Sequence, residues 1–231
     1  MTRGAAFFDL DRTLIRKSSA LALAGAFRRR GLIDRRAVAK AAAWQAVFAL
    51  RGLSAEGTSR AVEGGVALLR DFGVTEMREL VAESMDRSLK PLVYPTALEL
   101  VAAHRRRGER SYVVSAALQE IVEAIAQELG LDGAIGSIGE VIDGRYTGRC
   151  LRACHGPGKA AAVVDFAAAN GIDLGASAAY SDGYSDLPLL EAVGRPVAVN
   201  PDRDLRKLAL VRGWEILDFR RRRLPVAVGA A

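Results

Sequence analysis

Residues Ala5 to Leu14 read AAFFDLDRTL, a short apolar run that closes on two aspartates one residue apart. A run of this length bounded by polar residues predicts a buried strand, and its acids would stand just beyond the strand's C-terminal end. From Tyr94 onward the chain alternates. It predicts a helix from Pro95 to Arg107, a strand from Ser111 to Val114 and a helix from Leu118 to Leu129. A helix from Gly158 to Asn170, a strand from Ala178 to Tyr180, a short helix from Ser185 to Val193 and strands Pro196 to Val199 and Glu215 to Phe219 follow. Alternation of this kind implies a parallel sheet with crossover helices, a doubly wound, Rossmann-like α/β fold. Within Ile138 to Gly148, Asp143-Gly144 sits between β-prone runs and predicts a hairpin hanging from the sheet as a flap.

Between the first strand and this alternating region, residues 18–90 keep helical apolar spacing without a convincing strand, broken by Gly31, Gly52 and Gly73. The expected organisation is therefore a core of residues 1–17 and 91–219, a helical insertion of residues 18–90, and a basic tail of residues 220–231 that frays. With 231 residues the chain can bury one core plus a small module.

Half of the residues are apolar and 26% are charged, which excludes a disordered or fibrous chain. The net charge of +6 sits in short arginine clusters, Arg28 to Arg30, Arg105 to Arg107 and Arg220 to Arg223. Two of them fall where amphipathic helices end, so they read as solvated helix termini rather than a nucleic-acid surface. The only cysteines, Cys150 and Cys154, are too few for a disulfide framework. Together with His155 and His104 they lack the second ligand cluster that zinc requires. Met1 to Leu10 runs straight into acid and is not a signal peptide, and Ala37 to Leu50, interrupted by Lys40 and Gln45, is too short to span a bilayer. A cytoplasmic protein without membrane insertion is expected, and its oligomeric state is open.

Four polar signals fall just past predicted strands or at a helix start: Asp9 and Asp11, Ser115, Lys159, and Asp182 with Asp186. Cleaving a phosphomonoester requires a nucleophile, a proton donor for the departing oxygen, and cations and donors that hold the phosphoryl oxygens. Asp9 can attack phosphorus and form an acyl phosphate. Asp11 can protonate the leaving group and later deprotonate water, given a pKa raised by its neighbours. Ser115 and Lys159 can donate to the phosphate. The acids of Asp182 to Asp186 offer hard oxygen ligands that suit Mg2+, which a carboxylate attacking a dianion needs. Thr13 is expected to brace the Asp9 loop. A nucleotide-binding loop is excluded at Gly156 to Lys159, because position 153 is Ala and Lys159 is followed by Ala160.

Taken in order, FFDLDRTL (Phe7 to Leu14), VVSA (Val113 to Ala116), GPGKA (Gly156 to Ala160) and YSDGYSDLPLLE (Tyr180 to Glu191) resemble the four motifs of the haloacid dehalogenase superfamily. The branch they resemble is subfamily IB, which contains the phosphoserine phosphatases. The resemblance extends over Phe7 to Phe219. It implies an α/β core with a helical C1-type cap over residues 18–90, and a Mg2+-dependent phosphatase acting on a small phosphomonoester. It also implies Asp9 as nucleophile, Asp11 as general acid and base, and Ser115 and Lys159 on the phosphate. Mg2+ would be held by Asp9, Asp182 and the Asp11 carbonyl, with Asp186 orienting Lys159 and a metal-bound water. Asp11 points to phosphoryl chemistry, since the dehalogenases lack this second acid.

One departure bears on substrate. Phosphoserine phosphatases carry an acid shortly after the first motif that binds the substrate amine, whereas this chain has Arg16, Lys17, Ser18 and Ser19. L-phosphoserine is therefore not the expected substrate, and a basic, hydroxylated rim would suit a more anionic or polyol-like phosphate. Arg51, Arg60 and Arg70 are candidates for binding a second anionic group, and the apolar stripe at Trp44, Val47 and Phe48 is expected to pack within the cap. Transfer of the phosphoryl group to an alcohol, or phospho-ligand sensing without turnover, are the alternative functions.

Overall fold

The computed structural model describes residues 3–31 and 62–219. Trp44, Val47, Phe48, Arg51, Arg60, the Ala37 to Leu50 stretch and the tail after Phe219 lie outside the described residues. Seven strands form one sheet: β1 (Ala5–Asp9), β2 (Arg110–Leu118), β3 (Gly133–Ile142), β4 (Arg145–Arg152), β5 (Ala178–Ser181), β6 (Arg195–Val199) and β7 (Glu215–Leu217). Their spatial order is β4-β3-β2-β1-β5-β6-β7, with only the β3–β4 pair antiparallel. The chain grows outward from β1 in one direction through β4, then returns to the other side of β1 at β5. This reversal opens a crevice at the carboxyl ends of β1 and β5, where open α/β sheets bind ligands.

Strand β1 is buried on both faces, and its period of two assigns its side chains alternately. Phe7 joins the apolar cluster with Tyr112, Val114, Ala179 and Leu189, while Phe8 joins the opposite one with Val113, Ile121 and Tyr180. Each phenylalanine is fully buried and contributes about 2 kcal/mol of apolar transfer free energy. The central strand cannot slip by a residue without exchanging its two clusters.

The described helices between β1 and β2 are α1 (Ser19–Arg29), a turn or two at 62–67, α2 (Val74–Ser84), a π-helical turn Met85–Leu89 and α3 (Pro95–Arg106). Gly73 starts α2 with its N–H donating to the Glu76 carboxylate (3.3 Å). Leu23, Val66, Met77, Leu80 and Met85 share one continuous cluster with Phe8, Leu118 and Ile121, so the described parts of the helical insertion bury their apolar faces against the sheet side. Helix α4 (Gln119–Leu129) packs on this same face through Ile121, Val122 and Ile125, whereas α5 (Pro157–Ala169), the short α6 (Leu187–Glu191) and α7 (Arg203–Arg212) cover the Phe7 face.

The sequence reading of the hairpin holds at its turn, where Asp143 and Gly144 take φ of 50° and 75° as a primed turn requires. The flap is longer than Ile138 to Gly148 suggests, because β3 first pairs in parallel with β2 from Gly133 and only then with β4. The helix α7 has no counterpart in the sequence reading. It is capped by Asp202, whose carboxylate accepts from the N–H groups of Asp204 and Leu205 (3.1 and 2.8 Å).

Candidate active site

Asp9 ends β1, in register with Val114 of β2, so Ser115 stands one residue further along the neighbouring strand. On the other flank Phe8 pairs with Tyr180, which places Asp182 just beyond the end of β5. Lys159, in the first turn of α5, inserts its ammonium between two carboxylates, 2.6 Å from Asp9 Oδ1 and 2.6 Å from Asp186 Oδ2. The same Asp186 oxygen accepts from the Ser181 hydroxyl at 2.7 Å. Asp9, Ser115, Lys159, Asp182 and Asp186 are all buried. The fold thus gathers five of the six residues singled out in the sequence into one buried polar end of the sheet. Asp11, the sixth, lies on the turn after β1, where its Oδ1 accepts the N–H of Ser19 at the start of α1 (2.8 Å).

Ser18 and Ser19 are buried, so the hydroxylated rim expected from the sequence is not formed: these serines turn inward and begin α1. Arg16 and Lys17 remain exposed, with the Arg16 guanidinium 5.8 Å from the Tyr94 ring centre. Arg70 is exposed as well. Thr13 is fully buried, yet its hydroxyl has no hydrogen-bond partner among the described residues, so it fills space beneath the loop rather than tying it.

Burial pushes the Asp9 carboxyl up to about 6; Lys159 opposes the shift, and the nearby charges of Asp186 and Asp11 add to it. Asp182 is held well above the usual carboxylate range by burial and then by Asp9, with Arg12 opposing. Asp11 is also raised by its withdrawal from water, with the Ser19 N–H opposing. For Lys159, burial alone would favour the neutral amine, but Asp186 and Asp9 outweigh it and hold the ammonium charged. Cys154 beside this network has its thiol pushed up to about 11 by burial, which leaves it a poor nucleophile.

Sequence reasoning missed three supporting residues. Arg12 sends its Nε to Asp182 Oδ2 (3.2 Å). Ser181 carries the hydroxyl that fixes Asp186. Asn200 donates from Nδ2 to the Arg12 carbonyl (3.1 Å) and accepts the Phe219 N–H at Oδ1 (2.9 Å), tying the turn after β1 to the end of the described chain. Asn200 follows strand β6 as the acids Asp9 and Asp182 follow β1 and β5, and that position was the available signal.

The whole arrangement is that of a hydrolase with its reacting groups at a doubly wound switch point. The family model for haloacid dehalogenase-like hydrolases matches residues 6–191, and the chain belongs to that family. A probable phosphatase of Mycobacterium tuberculosis is 44% identical over 95% of this chain and 76% of its own length. A histidinol-phosphatase of Neisseria meningitidis serogroup C is 31% identical, covering 93% of this chain and 98% of that protein. Among solved structures, a protein of unknown function from Bordetella pertussis Tohama I superposes with a TM-score of 0.82 at 32% identity, covering 95% of this chain and all of that one. A substrate-bound phosphoserine phosphatase shares the fold at a TM-score of 0.66 and 21% identity, over 96% of this chain and 97% of that one. Among the described residues no helix is long and apolar enough to cross a membrane.

Proposed function

We propose that the chain is a Mg2+-dependent phosphatase that hydrolyses a small phosphomonoester metabolite in the cytoplasm through an aspartyl-phosphate at Asp9. One observation carries the reading: among the described residues Asp9, Asp182 and Asp186 crowd one buried end of the sheet, Asp9 and Asp186 sharing the Lys159 ammonium and Asp182 meeting the Arg12 guanidinium, with Asp11 on the adjoining turn. Burial and mutual repulsion raise Asp9 and Asp182, and a divalent cation would relieve that crowding of like charge. Mg2+ binds through one or two carboxylates and keeps its remaining positions for water and phosphate, which is what Asp9 and Asp182 would offer. Asp9, Asp182 and the Asp11 carbonyl would hold it, and when bound it would offset charge between nucleophile and phosphate.

The residues divide the reaction into two steps. An Asp9 oxygen attacks phosphorus while the ester P–O bond breaks, and Asp11 gives its proton to the departing alkoxide. Asp11 then takes a proton from water as that water attacks phosphorus, which frees the Asp9 carboxylate and inorganic phosphate. Burial raises the Asp11 carboxyl, the direction that a proton donor requires. Lys159 and Ser115 steady the phosphoryl oxygens, and Asp186 with Ser181 steadies Lys159. Residues 18–90 serve as the cap and close over the substrate, a role supported by the Ser19 contact to Asp11.

The inward turn of Ser18 and Ser19 leaves Arg16 and Lys17 as the exposed charges after the first motif. This supports a substrate other than L-phosphoserine. Phosphate release from a panel of phosphorylated amino acids, amino alcohols, sugars and polyols, with and without Mg2+, tests the reading against Asp9→Asn. Mg2+-dependent release lost in the variant agrees with it. Phosphate appearing on an added alcohol instead of in solution would make the protein a phosphotransferase, and binding without turnover would make it a sensor.

A further inference from the structure

The oxygens assigned to the cation come from two loops, the turn after β1 with Asp9 and the Asp11 carbonyl, and the loop after β5 with Asp182. Both loops are tied to a third segment, Asn200-Pro201-Asp202, which follows β6. Asn200 reaches past β5 to the first loop, where its Nδ2 donates to the Arg12 carbonyl (3.1 Å), one residue beyond Asp11. Asp202 takes the second loop on both sides of Gly183: its N–H donates to the Asp182 carbonyl and its Oδ2 accepts the Tyr184 N–H, each at 2.8 Å.

This third segment is itself fixed. Asn200 donates its N–H to the Leu217 carbonyl and accepts the Phe219 N–H at Oδ1 (2.8 and 2.9 Å), which seats it on β7 and the chain just beyond. Pro201 locks a φ angle between its two polar neighbours. The remaining Asp202 oxygen, Oδ1, accepts from the Asp204 and Leu205 N–H groups that begin α7. One carboxylate thus divides its work, with Oδ1 capping a helix and Oδ2 holding the Asp182 loop. Capping needs a single oxygen, which serine also supplies, so the two tasks can be separated by substitution.

From this geometry we infer that Asn200-Pro201-Asp202 is a brace that sets the spacing of the two cation-holding loops, with Asn200 and Asp202 as positioning residues that do not themselves touch the cation. Mg2+ demands near-ideal octahedral geometry and accepts little adjustment of its oxygens, so its affinity falls when a loop carrying one of them loosens. The inference rests on the cation reading of the site.

Mg2+ alone is titrated by calorimetry into the chelator-stripped full chain at pH 7, and the stability of each metal-free protein is read by urea unfolding. Asp202→Ser keeps an oxygen for α7 and leaves none for Tyr184; Asp202→Asn, which can satisfy only one of the two with its single carbonyl oxygen, replaces it if folding fails. Asn200→Gly removes the tie to Arg12 and suits the φ of 45° at that position. The control is Asp173→Ala, since Asp173 Oδ1 accepts the Gly175 and Ala176 N–H groups in the loop that leads into the amino end of β5, away from the site. Asp202→Ser stays close to wild type in urea yet binds Mg2+ about fivefold more weakly, and Asn200→Gly weakens binding by about as much. Asp173→Ala loses stability with its Mg2+ affinity unchanged. Wild-type affinity in Asp202→Ser or Asn200→Gly, or an equal weakening in Asp173→Ala, overturns the inference alone. No Mg2+ binding by the wild type overturns the cation reading and the inference with it.

Discussion

Two polar networks meet strands β1 and β5, and they are balanced in opposite ways. At the carboxyl ends, Asp9, Asp11, Asp182 and Asp186 outnumber Lys159 and Arg12. On the Phe8 face of the sheet, His104 sends Nδ1 to Glu109 (2.5 Å) and Nε2 to the Tyr180 hydroxyl (2.7 Å), while Arg107 and Arg195 reach the same two residues. Tyr180 stacks on Phe8 with ring centres 4.5 Å apart, so the second network sits directly against the strand that ends in Asp9. The His104 network has a partner for each of these groups; the carboxylate network crowds like-charged groups, and burial with mutual repulsion raises Asp9 and Asp182. The difference teaches where to look for function: a satisfied network rigidifies the sheet, whereas an unbalanced one is a standing cost that only a ligand relieves.

Asp9→Asn sharpens the contrast most. Phosphate release should fall by at least about 10⁴-fold, since the variant loses the nucleophile, while the fold survives. The same substitution should stabilise the metal-free protein at pH 7 by on the order of 2 kcal/mol, read as a higher melting temperature. The sign follows from a folded pKa of about 6 against an ordinary carboxylate value: the wild type loses stability as pH rises through that interval, so the variant's advantage grows from pH 4 to pH 7. An advantage that is the same at both pH values would break the account of the site as charge-crowded.

Next in size is Lys159→Met, which strands Asp9 and Asp186 and should cost about 3–5 kcal/mol in denaturant unfolding at pH 7. His104→Leu should cost about 2–3 kcal/mol because it leaves Glu109 and Tyr180 short of a partner, yet kcat should stay within about tenfold. Burial lowers the His104 pKa, so its contribution opposes that of Asp9: it is lost as pH falls below the ordinary imidazole value and present above it. A large loss of kcat in a folded His104→Leu would erase the division between the two networks. The smallest effect is expected from Asp202→Ala, about 1 kcal/mol of unfolding free energy through the cap of α7.

The sheet and its reacting end were legible because their signals are local. AAFFDLD places apolar residues on both faces and acid at the end, and YSDGYSD repeats the device on β5. What was not legible depends on tertiary fit. β3 reads GAIGSIGEVI, in which glycines dilute the strand pattern; at Gly136 a side chain would collide with Gln119 and Ala117, a constraint invisible in one dimension. Helix α7 begins within PDRDLRKLAL, whose Asp202 cap and buried Leu205 and Ala209 at four-residue spacing were available signals, outweighed by its many exposed charges. Ser18 and Ser19 misled in the other direction, because hydroxyls beside Arg16 and Lys17 suggest a rim, while the start of α1 turns them in to hold Asp11.

The central claim is that the crowding of carboxylates serves a nucleophile, Asp9, assisted by Asp11. It is tested most directly by acid-quenching wild type and Asp11→Asn during turnover of a phosphomonoester with Mg2+, then locating any phosphoryl group on the protein by mass spectrometry. The account predicts a phosphoryl adduct on Asp9 that accumulates further in Asp11→Asn, where water is no longer deprotonated efficiently. Turnover by the wild type with no adduct on Asp9 in either protein, or with the adduct on another residue, would contradict it.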